Sequence, residues 1–106
     1  MPKLIIVPKN KEAEIALDYD KVESEHITEW NVSNEEFEKL WIEGVFSLIN
    51  KVSGTNIDDY EDEHLNDLNL ISHSLSELKK KQYSFRKMIE MFELAIYYKT
   101  SIHFYF

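Results

Sequence analysis

The densest group of side chains that could bind a ligand lies between residues 58 and 63. Five of these six residues are acidic and the other is a tyrosine: Asp58, Asp59, Tyr60, Glu61, Asp62 and Glu63. A calcium-binding EF-hand loop needs glycine at its sixth position and glutamate at its twelfth. Counting from Asp58, these positions hold Glu63 and Asn69. The run therefore predicts either the solvated first turn of a helix or an acidic surface that attracts a cationic partner.

A second acidic stretch extends from residue 12 to residue 38 and contains a single lysine, Lys21. Its ten acidic residues are Glu12, Glu14, Asp18, Asp20, Glu23, Glu25, Glu29, Glu35, Glu36 and Glu38. Basic residues cluster elsewhere, at residues 79–81 and at Arg86 and Lys87. With 12 Lys and Arg against 20 Asp and Glu, the net charge is −8. This charge disfavours direct binding to nucleic acid, because phosphates attract cations.

The spacing Glu-x-x-His occurs twice, at Glu23–His26 and at Glu61–His64. Di-iron four-helix bundles use this spacing, but they also need two further glutamates that point inward. The first copy lies in a segment without helical periodicity, and chance spacings are common in a chain with 20 acidic residues and four histidines. We therefore predict no metal site and no cofactor, and a small metal-dependent enzyme is the least favoured alternative.

Other catalytic signatures are missing from the sequence. There is no cysteine, and two glycines are too few for a phosphate-binding loop. A histidine could act with a carboxylate in acid-base catalysis, but spacing alone does not bring the two within hydrogen-bond reach. We predict that the protein is not an enzyme.

The periodicity of apolar residues predicts one α+β domain, residues 1–106. Short N-terminal strands at 3–7 and 12–18 and a C-terminal strand at 101–106 are expected to form a small antiparallel or mixed sheet. Three to four helices pack against it: one over 34–52, one or two over about 58–81, and one from about residue 84 to residue 98. Residues 18–32 have no clear period, and their structure is left open.

Particular residues set the expected boundaries of these elements. Ser33 and Glu36 form a capping-box pattern at the start of the first helix, and Gly54 is placed to end it. Gly44 suggests close approach of another element, and Trp41 belongs to the apolar stripe. If residues 58–63 are helical, their carboxylates form two outward columns, Asp58 with Asp62 and Asp59 with Glu63. His103 is expected to point away from the core.

The longest run of aliphatic residues spans only residues 4–7, whereas a membrane-spanning helix needs about 20 apolar residues. The first three residues also do not resemble the start of a signal peptide. We therefore predict a cytoplasmic protein that has no membrane partner.

Residues 37–50, followed by residues 57–63, resemble bacterial immunity proteins of contact-dependent growth inhibition systems. The matching segments read FEKLWIEGVFSLIN and IDDYEDE. The resemblance implies a cytoplasmic antitoxin that binds the C-terminal toxin domain of a delivered effector, usually a nuclease, and inhibits it without doing chemistry. A basic nuclease surface would be complementary to an acidic inhibitor. The predicted interface consists of residues 58–63 together with Glu23, Glu25 and Trp30.

The same acidic composition is compatible with a second function. A DNA-mimic protein would use surface carboxylates in place of phosphates to occupy a DNA-binding protein, such as a restriction or regulatory protein. An extended double row of carboxylates would favour this alternative over a toxin inhibitor.

Overall fold

The computed structural model describes residues 3–81 and 86–106 and confirms the α+β class. Its elements are β1 (Lys3–Pro8), α1 (Lys11–Asp18), a short 3-10 helix (Ser24–His26), β2 (Ile27–Val32), α2 (Asn34–Ile42), α3 (Val45–Ser53), β3 (Glu63–Leu65), α4 (Leu68–Lys80), α5 (Arg86–Tyr98) and β4 (Ile102–Tyr105). The described residues thus contain five α-helices, more than the three to four expected. None of these helices has both the length and the apolar character needed to cross a lipid bilayer.

The four strands form one antiparallel sheet in the order β2-β1-β4-β3. The central strand β1 pairs with β2 from Lys3↔Val32 to Pro8↔Ile27. On its other side β1 pairs with β4, which confirms that the aromatic C-terminal strand docks against an N-terminal one. The short strand β3 forms the edge beyond β4, opposite the edge formed by β2.

Alternate residues of β1 face two different apolar clusters. Ile5 and Val7 belong to the main core, which includes residues from all four strands and from α2 to α5. Ile6 faces the other way and contacts Leu17 and Ile27 in a smaller cluster beneath α1. The sheet therefore has α2–α5 on one face and α1 on the other, here termed the α1 face.

The prediction of a strand over residues 12–18 is wrong, because these residues form α1. The Asn10 side chain accepts a hydrogen bond of 2.7 Å from the backbone N–H of Ala13, so it caps the helix N-terminus. Ala13 and Leu17, four residues apart, are buried, whereas Ile15 is 60% exposed. Over these seven residues the apolar positions fit both the two-residue period of a strand and the 3.6-residue period of a helix. The helix cap and the burial of one helical face decide in favour of the helix.

The helix predicted over 34–52 is two helices separated at Gly44. The capping box between Ser33 and Glu36 is present, and Gly54 ends α3 in the left-handed conformation, as predicted. Gly44 also has a positive φ of 78°, and a Cβ added there would meet nothing within 4 Å. Gly44 is therefore suited to the turn between helices, not to close packing. The break leaves Trp41 48% exposed instead of in the core.

The acidic run is not helical, which contradicts the prediction of a helix from about residue 58. Helix α4 begins only after Asp67, whose side chain accepts hydrogen bonds from the backbone N–H groups of Asn69 and Leu70. The two predicted carboxylate columns therefore do not form. Lysines do occupy the last turn of α4, as expected from the helix dipole. The predicted start of the last helix at residues 84–85 lies outside the described residues.

Candidate binding surface

Residues 58–62, of which 59–62 are exposed, form a surface segment, here called the acidic loop, that is tied to the core by Asn50. The Asn50 side chain accepts a hydrogen bond from the Ile57 N–H (2.7 Å) and donates one to the Ile57 carbonyl (3.1 Å). It also accepts a hydrogen bond from the Thr55 hydroxyl (2.9 Å). Since Ile57 is only 2% exposed, these bonds fix the chain immediately before the acidic loop.

Replacing Asn50 by alanine is expected to lower the free energy of unfolding by about 2 kcal/mol, because two buried backbone groups of Ile57 lose their partner. Urea denaturation measures this loss, and hydrogen exchange should show faster exchange at Ile57 and Tyr60. The control variant Asn69→Ala changes an exposed asparagine at the start of α4. An equal loss in both variants would contradict the anchoring role of Asn50.

Two of the five carboxylates of residues 58–63 stabilise the acidic loop, namely Asp58 within it and Glu63 at the start of β3. Asp58 Oδ1 accepts hydrogen bonds from the N–H groups of Tyr60 (2.8 Å) and Glu61 (2.9 Å), and Glu63 Oε2 accepts one from Asn56 (2.7 Å). Among the described residues, the side chains of Asp59, Glu61 and Asp62 make no hydrogen bond within 3.5 Å. These three are exposed, as is Tyr60, whose exposed fraction is 87%. The predicted site residues thus divide into loop-forming and outward-facing groups.

Tyr105 marks the place where two distant acidic segments meet. Its pKa is raised to about 12, first by burial and then by the negative charges of Asp62, Asp20 and Asp18. Asp62 precedes β3, whereas Asp18 and Asp20 lie at the end of α1 and just after it. Tyr105 packs against the cluster that contains Leu17 of α1, and its ring centroid lies 5.6 Å from that of His64, so the end of α1 and the end of the acidic loop lie on either side of it. Asp18 and Asp20 were absent from the predicted site because no local pattern indicates that residues 18–20 lie near residue 62.

Beside Tyr105, two histidines connect the edge strand β3 to β4. The Nδ1 atoms of His64 and His103 are 2.7 Å apart, and His103 Nε2 lies 2.6 Å from the Ser101 hydroxyl. His103 pairs with Ile6 on the α1 face, so it points away from the main core as predicted, but it is only 3% exposed and is therefore buried there. Burial and the neighbouring His64 lower the pKa of His103 to about 4, although Asp18 opposes this shift. The hydrogen bond requires one of the two Nδ1 atoms to be unprotonated.

The remaining predicted site residues lie elsewhere. Glu23, Glu25 and His26 are exposed in the turn before β2, with their potential ligand atoms within 4.8 Å of one another. Because β2 and β3 are opposite edges of the sheet, the two Glu-x-x-His sequences do not form one dinuclear site. Trp30 is 8% exposed and belongs to the main core, so its prediction as a partner-binding residue is corrected. Its alternation with exposed Glu29 and Asn31 is the sequence signal for this burial.

Comparisons with known proteins provide one structural match. No family model matches the sequence, and no curated protein sequence is similar to it. Among solved structures, the Neisseria DNA mimic protein DMP12 superimposes with a TM-score of 0.69 at 18% sequence identity. The alignment covers 100% of both chains. The chain is therefore similar in fold, over its whole length, to a protein described as a DNA mimic.

Proposed function

We propose that this chain is a DNA-mimic protein that occupies the DNA-binding surface of a basic partner. The observation that carries the proposal is that Tyr105 packs against the cluster containing Leu17 of α1, while its ring centroid lies 5.6 Å from that of His64, two residues after Asp62. The acidic surface on either side of Tyr105 is here called the mimic surface and comprises Asp18, Asp20, Asp59, Glu61 and Asp62. A DNA-binding protein presents cations to phosphates, and fixed carboxylates can bind the same cations.

The organisation of the charges supports this proposal. Within the part of the chain that the structure describes, lysines lie within 4 Å of only three carboxylates, those of Glu14, Glu77 and Glu93. The hydrogen bonds of Asn50 and Asp58 hold the loop in place before a partner arrives. A preorganised loop loses less conformational entropy on binding, so more of the electrostatic attraction contributes to affinity.

The fold comparison also supports mimicry over toxin inhibition. The superimposed Neisseria protein is described as a DNA mimic, although its 18% identity transfers no individual residue to this chain. The helix that contributed to the resemblance with immunity proteins is interrupted at Gly44. Inhibition of a cognate toxin by the same acidic surface is accordingly the second outcome to be tested.

The experiment begins with the immobilised protein and a lysate of the organism that encodes it. Bound proteins are released with duplex DNA of about 20 base pairs, which covers the footprint of most DNA-binding modules. Mimicry predicts release of a basic protein, and an electrophoretic mobility shift assay with the purified proteins should show that this chain removes it from DNA. A ternary complex of chain, partner and DNA would contradict mimicry. A partner with nuclease activity that is toxic when expressed alone would instead support the inhibitor prediction.

A further inference from the structure

The last turn of α2 exposes two adjacent large apolar side chains. Trp41 is 48% exposed and Ile42 is 73% exposed. The Trp41 ring stacks on Phe37, with centroids 6.2 Å apart and an interplanar angle of 17°, and its centroid lies 5.9 Å from that of Phe46. One side of the indole is thus supported by the core while the rest is open. A supported aromatic ring loses little side-chain entropy when a partner covers it, and tryptophan is enriched in binding hot spots.

Carboxylates lie around Ile42. A shallow groove of about 360 Å³ is lined by Glu35, Glu38, Lys39, Ile42 and Glu43. Among the described residues, no cation lies within 4.0 Å of the three carboxylates, and Lys39 does not bridge to its neighbours. Glu35 and Glu38 are three residues apart, a helical spacing at which like charges repel one another, so a cation from a partner would stabilise this pair.

We propose that this surface, the α2 patch, binds an amphipathic cationic helix of a partner protein. An apolar side chain of that helix would cover Trp41 and Ile42, while its lysines or arginines meet Glu35, Glu38 and Glu43. The combination of two exposed apolar side chains, Trp41 and Ile42, with carboxylates beside Ile42 is complementary to such a segment in both polarity and charge. The α2 patch shares no residue with the mimic surface, and α2 lies on the face of the sheet opposite α1, so the proposal does not depend on the mimic surface.

The test is an NMR titration of the full chain with a synthetic helical peptide of about 14 residues, roughly four turns. The peptide carries leucines along one face and lysines along the other. We expect chemical shift changes concentrated at residues 35–46. In Ile42→Lys the affinity should fall by about tenfold or more, since an added cation both removes the apolar contact and repels the peptide. Trp41→Ala should weaken binding to a similar extent.

Matched variants and peptides separate this site from general attraction to an acidic protein. Ile15→Lys makes the same change at another exposed isoleucine, on α1, and should lower the affinity by less than about threefold. A peptide with serines in place of the leucines tests the apolar contact, and it should lose most of the affinity. Shift changes confined to residues 58–62, or equal losses for Ile42→Lys and Ile15→Lys, would overturn the proposal. Ile42 is so exposed that its variant should retain the fold, as thermal denaturation would verify.

Discussion

Acidification from pH 6.5 to pH 4 is expected to remove about 3 kcal/mol from the free energy of unfolding through His103 alone. The unfolded chain binds a proton at this histidine below its ordinary pKa of 6.5, whereas the folded chain does so only near pH 4. In this interval the unfolded state binds more protons, so stability decreases as the pH falls. Well above pH 6.5 both states are neutral at His103, and the effect is absent.

Urea denaturation at several pH values between 7 and 4 measures this dependence. The variant His103→Gln retains polar groups but does not titrate. Between pH 6.5 and pH 4 its free energy of unfolding should therefore fall by about 3 kcal/mol less than that of the natural chain. The difference between the two proteins cancels the contribution of the many carboxylates. In the control His26→Gln, an exposed histidine is changed, and the original pH dependence should remain. A pH dependence unaltered by His103→Gln would show that the buried histidine does not control acid stability.

Neutralising three carboxylates of the mimic surface is expected to weaken binding to the partner on the order of 100-fold. The variant combines Asp20→Asn, Asp59→Asn and Asp62→Asn, and a loss of about 1 kcal/mol for each charge gives this magnitude. Asp58 and Glu63 are left intact because they accept hydrogen bonds that form the loop. Asparagine is suitable at Asp20, whose φ of 55° lies in the left-handed region that asparagine tolerates.

The control for net charge combines Glu12→Gln, Glu90→Gln and Glu93→Gln, all at exposed positions on α1 and α5. Both triple variants change the net charge by three, from −8 to −5. Isothermal titration calorimetry at two salt concentrations should show a large loss and a smaller salt dependence for the first variant only. Equal losses in both variants would mean that total charge, not this surface, governs binding.

Local sequence patterns correctly predicted those features for which neighbouring residues all favour the same secondary structure. The capping box of Ser33 and Glu36 determines where α2 begins, and the left-handed Gly54 determines where α3 ends. The alternating aromatic residues at the C-terminus predicted a docked strand, which pairs with β1. These features depend on hydrogen bonds and side-chain directions within a few residues, so they can be recognised in the sequence alone.

The errors lie where a short pattern was compatible with two structures. Residues 12–18 satisfy both a two-residue and a 3.6-residue period, and burial of Ala13 and Leu17 against the sheet selects the helix. The acids at 58–62 are compatible with a helix dipole, but hydrogen bonds from Asn50, seven residues before Ile57, hold the preceding chain in a loop. In both cases a contact beyond the local pattern decides between the alternatives.

By itself, the sequence determined the α+β class, the acidic character and the most acidic segment. Only the tertiary structure brought Asp18 and Asp20 to the acidic loop, paired His64 with His103, and buried Trp30 while exposing Trp41. Composition and periodicity describe each segment separately, whereas a binding surface depends on which segments become neighbours. The order of the strands and the face on which each helix packs decide that, because they place residues far apart in the chain within reach of one another's charges.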